Sequence, residues 1–239
     1  EIAEVKNNPF SSLLSQQESG IRNSCALPYQ LNAEGELSDD KKTFEIIFSA
    51  ENDLPGVQSD GSPFNVYAPG KYASIKDNSK IYEEVKSWSY AVRTGDKLKS
   101  LWSLENFEND SYHLRVYGPN GFFREYIGNK IDPTVNVKFE YERLKNSPKV
   151  FTGNIILHFN NLSDENQSIE VIDNSYKKPK QSLELNKTDS KELVLDLQKS
   201  FNWYDISVKI KGNNLFEKRF AGRVETGEPG KSDPFMGRV

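Results

Sequence analysis

From residue 27 onward the chain is written in short stretches of alternating polarity, cut at close intervals by Gly, Pro, Asn and Asp. A strand presents successive side chains to opposite faces, so such alternation makes one face apolar and the other wet, and the punctuating residues supply the turns. Phe44, Ile46 and Phe48 alternate with Glu45 and Ile47, and Leu114 and Val116 with His113, Arg115 and Tyr117. Strands are expected near 27–33, 43–50, 63–68, 88–93, 98–104, 112–117 and 122–127. A polar insertion, Gly70 to Ser87, separates the third from the fourth and has room for one helical turn around Ile81 to Val85. Seven strands in about a hundred residues fit an immunoglobulin-like sandwich.

After Asp132-Pro133 the pattern restarts. Val135, Val137, Phe139 and Tyr141 face one way, and further strands are expected near 150–159, 168–173, 182–186, 191–197, 205–211 and 215–224. The ends of the two halves also match: Tyr112-His-Leu-Arg-Val116, a turn, then Arg124-Glu-Tyr-Ile-Gly128, against Tyr204-Asp-Ile-Ser-Val208, a turn, then Lys218-Arg-Phe-Ala-Gly222. The expected fold is all-β, two tandem immunoglobulin-like antiparallel β-sandwiches of about seven strands each, over 25–131 and 132–227. Residues 1–24 are polar and without a sustained period, a linker or a strap, and 228–239 form a C-terminal tail.

The 239 residues are 36% hydrophobic and 12% aromatic, enough to build such cores. A net charge of -4, with Lys and Arg scattered among Asp and Glu, offers no basic stripe for a phosphate backbone, so nucleic acid is not an expected partner. Cys25 is the single cysteine and excludes any intrachain disulfide. No run approaches the twenty or so apolar residues of a membrane span, and the amino terminus lacks a signal-peptide pattern.

Phosphate ester hydrolysis with a metal needs clustered ligands, because a cation must offset charge on the phosphoryl oxygens. The chain has only His113 and His158, each at a strand position flanked by core residues and each read as a solvated or sheet-edge histidine. No Gly-x-Ser-x-Gly elbow is present, and Cys25 precedes a strand with no histidine nearby in sequence. Asp39-Asp40 and Glu83-Glu84 lie in polar loops where desolvation cannot raise a pKa. No catalytic residue, metal ligand or cofactor is therefore assigned.

Gly118-Pro-Asn-Gly121 lies between two alternating strands and reads as a tight hairpin turn rather than a phosphate cradle, with Gly118 and Gly121 structural. Tyr112 and Tyr204 each open a penultimate strand, where sandwiches of this kind place a tyrosine bonded back to the preceding corner; both are read as structural. Trp88, Trp102 and Trp203 are read as core or rim. Asn186-Lys-Thr188 matches a short glycosylation pattern, and no role is assigned to it.

Three stretches give the chain a resemblance to the C-terminal repeats of bacterial phosphocholine-preferring phospholipases C. They are Gln17-Glu-Ser-Gly-Ile-Arg22 running into Ala26-Leu-Pro-Tyr29, then Tyr112-His-Leu-Arg-Val-Tyr-Gly-Pro-Asn-Gly-Phe-Phe-Arg124, and Gly222-Arg-Val-Glu-Thr-Gly227 with Ser232-Asp-Pro234. The resemblance implies a non-catalytic accessory region of a secreted or periplasmic enzyme. In that family an amino-terminal phosphoesterase domain of the same polypeptide hydrolyses phosphatidylcholine or sphingomyelin to phosphocholine and a lipid. The insertion at Gly70 to Ser87 departs from the family pattern.

Phe122 and Phe123 are adjacent in a strand and cannot both enter one core, so one of them packs on the neighbouring repeat, docks on the catalytic domain or meets a lipid interface. Tyr117 and Asn120 join them as candidate interface residues. An independent module for cell-surface glycan or protein is the alternative reading, and a structural spacer is the default; fold alone does not separate them.

Overall fold

The alternating stretches named above all form strands. The computed structural model describes residues 20–54, 56, 58–77 and 79–235, so most of the expected linker and residues 236–239 of the expected tail lie outside it. In chain order the first half holds β1 (Asn23–Ser24), β2 (Leu31–Leu37), β3 (Thr43–Ala50), β4 (Ser62–Ala68), β5 (Tyr72–Lys76), β6 (Ser79–Glu83), β7 (Lys86–Val92), β8 (Lys97–Ser103), β9 (Ser111–Tyr117) and β10 (Phe123–Asn129). The second holds β11 (Val135–Leu144), β12 (Ser147–Asn161), β13 (Gln167–Asp173), β14 (Gln181–Leu185), β15 (Ser190–Leu195), β16 (Trp203–Ile210), β17 (Glu217–Arg223) and β18 (Gly230–Lys231). Helical backbone among the described residues is confined to the 3₁₀ turns Leu104–Asn106, Glu108–Asp110 and Gln198–Ser200.

Each half closes on its own core. In the first, the three-stranded sheet β2-β3-β8 covers the arm β7-β4-β9-β10, and Phe44, Ile46 and Phe48 meet Phe64, Val66, Leu114 and Val116 between them. In the second, β11-β12-β15 covers β14-β13-β16-β17, and Val137, Phe139, Ile155 and Leu157 meet Ile169, Ile206, Val208 and Phe220. Each fully buried Phe, Leu or Ile contributes about 1.5–3 kcal/mol relative to exposure, so these layers hold the halves without staples.

The two arms are one sheet. β10 pairs antiparallel with β17, giving the continuous order β14-β13-β16-β17-β10-β9-β4-β7. The register is Arg124 opposite Phe220, Glu125 opposite Arg219 and Tyr126 opposite Lys218. The strand order reads the same outward from this seam on both sides, so a local two-fold axis passes close to the Glu125–Arg219 pair.

Four local expectations are corrected. The insertion holds a two-stranded hairpin, β5–β6, instead of a helical turn. Asp77 turns the chain at φ 50°, and Tyr72 is clamped edge-on by Trp88 and Phe107 at 5.0 Å each, which fixes an extended backbone. The first strand of the sandwich begins at Leu31 rather than Leu27: Pro28 has no N–H for a ladder, and its carbonyl accepts from Asp60 N–H at 2.7 Å instead. β10 begins at Phe123 because the Phe122 N–H closes the preceding turn on Pro119 O at 3.1 Å. Finally, among the described residues neither Tyr112 nor Tyr204 bonds back to its preceding corner: Tyr112 turns to Asp132 and Tyr204 to Arg124. The short β1–β18 pair, Asn23 with Lys231 and Ser24 with Gly230, brings the two ends of the described chain side by side.

Candidate functional site at the seam

The inward phase of β10 and β17 places two cations where the alternation calls for core residues. Arg124 has no exposed surface. Its Nη1 donates to Phe123 O at 2.9 Å and to Ala221 O at 3.1 Å, and its Nη2 donates to the Tyr204 hydroxyl at 3.3 Å. The guanidinium carbon lies 4.2 Å from the Phe122 ring centroid, 4.4 Å from Phe139 and 5.4 Å from Phe220. Two carbonyls, a phenol and aromatic faces meet the charge, the combination that suits a delocalised cation poorly held by water. Its Nε is buried without a partner among the described residues.

Lys218 is the counterpart across the axis. It is 3% exposed, donates to Gly35 O at 2.9 Å and lies 2.8 Å from Glu36 Oε1. Burial pushes the Glu36 carboxyl up, and the Lys218 charge opposes that shift. Tyr126, opposite Lys218, donates its hydroxyl to Ala33 O and so ties β10 to β2.

Asp132 fastens the junction between the halves. Its Oδ2 accepts from the Tyr112 hydroxyl and from Asn129 N–H, each at 2.9 Å; Oδ1 accepts from Asn213 Nδ2 at 3.1 Å, and its carbonyl accepts from Lys41 Nζ at 2.6 Å. Gly128 makes room for this: a Cβ there would stand 2.0 Å from Asp132 Oδ2 and 2.3 Å from the Tyr112 hydroxyl.

On the outer face the seam carries a charged row. Glu125 accepts from Arg115 Nε at 2.6 Å and contacts His113 Nε2 at 2.7 Å. Burial opposes its ionisation, but the bonds from His113 and Arg115 outweigh it and hold the carboxyl at about 2. Across the ladder Arg219 grips Asp205 through both oxygens, at 2.7 and 2.8 Å. Burial likewise opposes ionisation of Asp205, and the Arg219, Ser175 and Asn174 bonds overcome it.

The candidate interface residues separate. Phe122 turns into the first core, edge-on to Phe64 at 5.7 Å and 5% exposed. Phe123 takes the outer face, half-buried, 5.0 Å from the Tyr117 ring and 5.6 Å from the Arg219 guanidinium. Tyr117 is exposed. Asn120 sits in the hairpin turn at φ 54°, ahead of Gly121 at φ 72°, the pair of positive angles a mirror-image turn needs. Its amide donates to Glu225 Oε1 at 2.8 Å, which also takes Arg223 Nη1 at 2.9 Å in a buried pair.

The residues weighed for chemistry lie apart. His158 bridges Glu140 at 2.9 Å and Glu192 at 3.1 Å across the outer face of β11-β12-β15, far along the chain from His113. Cys25 is exposed, with a free thiol. Trp102 is in the first core, and Trp88 packs edge-on against it at 5.6 Å; Trp203 donates to Lys231 O at 3.0 Å. Among the described residues no group of three or more His, Cys, Asp or Glu is placed to hold a metal ion, and no helix is long and apolar enough to cross a membrane.

Arg124, Lys218 and Asp132 escaped the reading of the sequence, which singled out aromatic and turn residues. A signal was present: Arg124 shares the phase of Tyr126, and Lys218 that of Phe220, so strict alternation already turns both inward.

A family model described as "Bacterial phospholipase C, C-terminal domain" matches residues 23–129 and again 133–223. The chain belongs to this bacterial phospholipase C C-terminal domain family. Both matches to the C-terminal domain end where a seam strand ends, at Asn129 of β10 and Arg223 of β17. Over 237 residues the chain is 28% identical to the non-hemolytic phospholipase C of Pseudomonas aeruginosa, covering 96% of itself and 30% of that protein. It is 28% identical over 233 residues to the non-hemolytic enzyme of Burkholderia pseudomallei and 30% identical over 238 to the hemolytic phospholipase C of Pseudomonas aeruginosa. The chain spans about 30% of the length of each of these relatives.

Proposed function

We propose that this chain is the non-catalytic C-terminal accessory region of a secreted bacterial phospholipase C, two immunoglobulin-like sandwiches in tandem that support the catalytic domain of the same polypeptide or its access to lipid. The observation that carries this reading is the double match to the phospholipase C C-terminal domain in a chain that spans about 30% of its relatives' length. The parent enzyme, on this reading, hydrolyses phosphatidylcholine or sphingomyelin to phosphocholine and a lipid, with its phosphoesterase domain outside this sequence.

The disposition of polar groups supports the same reading. His113 and His158 are each tied to glutamates on separate sheets, and the best buried cations, Arg124 and Lys218, face the protein's own core. A rigid, continuous sheet suits a platform better than a cleft for chemistry. Phe123, beside the seam on the outer face, is the residue we assign to contact with the catalytic domain.

The test is to produce the catalytic portion of such an enzyme with and without this region and to measure thermal stability and hydrolysis of phosphatidylcholine vesicles. This region alone is expected to be inert, and its presence to raise the stability or vesicle activity of the catalytic portion. A catalytic portion equally stable and equally active without it would remove the role.

A further inference from the structure

A cleft opens on the outer face of the first half, between β4, β9 and the approach to β7. Its volume is about 380 Å³, and it is lined by Asn65, Tyr67, Pro69, Val85, Arg115 and Tyr117. That volume falls in the roughly 300–1,000 Å³ range of small-molecule sites. Tyr67 and Tyr117 stand edge-to-face, with ring centroids 5.6 Å apart and an interplanar angle of 81°, and are 38% and 41% exposed. Aromatic side chains left this open offer surface for a flat, partly apolar ligand.

The polar part of the cleft is one-sided. Arg115 is pinned through Nε by Glu125 at 2.6 Å, so its guanidinium is already oriented while its terminal nitrogens remain as donors. Asn65 uses its Oδ1 to accept from Ser89 Oγ at 2.9 Å, leaving its amide N–H groups to donate. None of the six lining residues carries a negative charge. A ligand that satisfies these groups presents acceptors, and a planar fork of donors is best met by a carboxylate.

We propose that this cleft binds an acidic sugar ring such as a hexuronic acid of a surface polysaccharide, its ring against Tyr67 and Tyr117 and its carboxylate on Arg115. The weakly positive C–H face of a pyranose complements the negative face of an aromatic ring. Pro69 and Val85 complete the apolar part of the lining. The inference rests on the cleft alone and does not depend on the accessory role proposed above.

Titrating glucuronic acid into the protein, followed by amide NMR shifts, is expected to give saturable binding with shifts on β4 and β9. Methyl glucoside, which lacks the charge, and acetate, which lacks the ring, are each expected to bind at least about tenfold more weakly, as loss of a charged bidentate contact or of an aromatic platform requires. Tyr67→Ala and Tyr117→Ala are expected to cut affinity by about tenfold or more with the thermal midpoint nearly unchanged, since both side chains are exposed. Arg115→Gln should erase the preference for the acid over the neutral sugar. No saturable shift with glucuronic acid, equal binding of the neutral sugar, or full binding by a folded Tyr117→Ala protein would each overturn the proposal.

Discussion

Arg124 and Lys218 each reach across the seam into the other's half of the molecule. Arg124, on the last strand of the first half, is held by Tyr204, Phe139 and Ala221 of the second as well as by Phe122 and Phe123 of its own, whereas Lys218, on the last strand of the second half, is held by Gly35 and Glu36 of the first. The exchange follows from the register, because residues one step to either side of the Glu125–Arg219 pair point inward and past the seam. The two cores are thus locked together by side chains as well as by a ladder.

Arg124 has no carboxylate partner at hydrogen-bonding distance among the described residues, so its charge is dispensable in a way its volume is not. Arg124→Ala opens a cavity among four aromatic rings and is expected to cost about 2–4 kcal/mol in urea unfolding. Arg124→Met keeps the volume and removes a buried Nε that lacks a partner, so its loss is expected to be roughly 1 kcal/mol or none. Equal losses for the two variants would show that the guanidinium bonds, not the packing, hold the seam.

Gly128→Ala forces a methyl group into the space between Asp132 and the Tyr112 hydroxyl and is expected to destabilise by roughly 2–3 kcal/mol. Tyr112→Phe alone removes one buried hydrogen bond, a loss of about 1 kcal/mol. In the Gly128→Ala background the second change should cost almost nothing, since the bond is already broken. Full additivity in this double-mutant cycle would contradict the coupling.

Acid stability should depend on Glu125. Its folded carboxyl is held at about 2, below the ordinary 4.5, so the unfolded chain takes up the proton first as pH falls. The stabilisation is complete above about pH 5 and is lost between about pH 5 and 2, on the order of 2 kcal/mol. Glu36 and Glu225, raised by burial, act in the opposite sense, so the comparison that isolates Glu125 is the native protein against Glu125→Gln. The variant should show the shallower loss between pH 5 and 3, and identical pH profiles of the denaturation midpoint would exclude the effect.

The β5–β6 hairpin is expected to exchange its amide hydrogens faster than any strand of the eight- and three-stranded sheets. It is a separate two-stranded sheet whose one backbone bridge to the body among the described residues is Tyr72 to Phe107, the other ties being side-chain contacts, and Ile75 on it is 83% exposed. Two strands alone are marginal in water, so its bonds open without the rest of the sheet. Hydrogen exchange read by mass spectrometry should show Tyr72 to Glu83 deuterated well before β4 and β9. Tyr72→Ala should accelerate it further.

Most of the strands were legible because apolar side chains at period two report one buried face, as Phe44, Ile46 and Phe48 do. The helical turn expected at Ile81 to Val85 failed because their spacing of four residues matches a helix, while the force that decides the backbone, the clamp of Trp88 and Phe107 on Tyr72, comes from residues distant in sequence. The seam was hidden for a similar reason. Arg124 and Lys218 carry the right phase but the wrong chemistry for a core, and a reading by residue type sends both to the surface. The partner of the Tyr112 hydroxyl, Asp132, lies past the end of the next strand, where no local pattern points.

The seam also fixes which edges of the two halves are spent. Joining two final strands about a dyad is an isologous contact, in which each side uses the same surface and nothing complementary is left over for a third copy. Head-to-tail joining would leave a free acceptor at each end and could grow into a filament. Here β10 and β17 consume one another, so the seam itself is closed to a third strand, and the edges that the eight-stranded sheet still presents are those of β14 and β7.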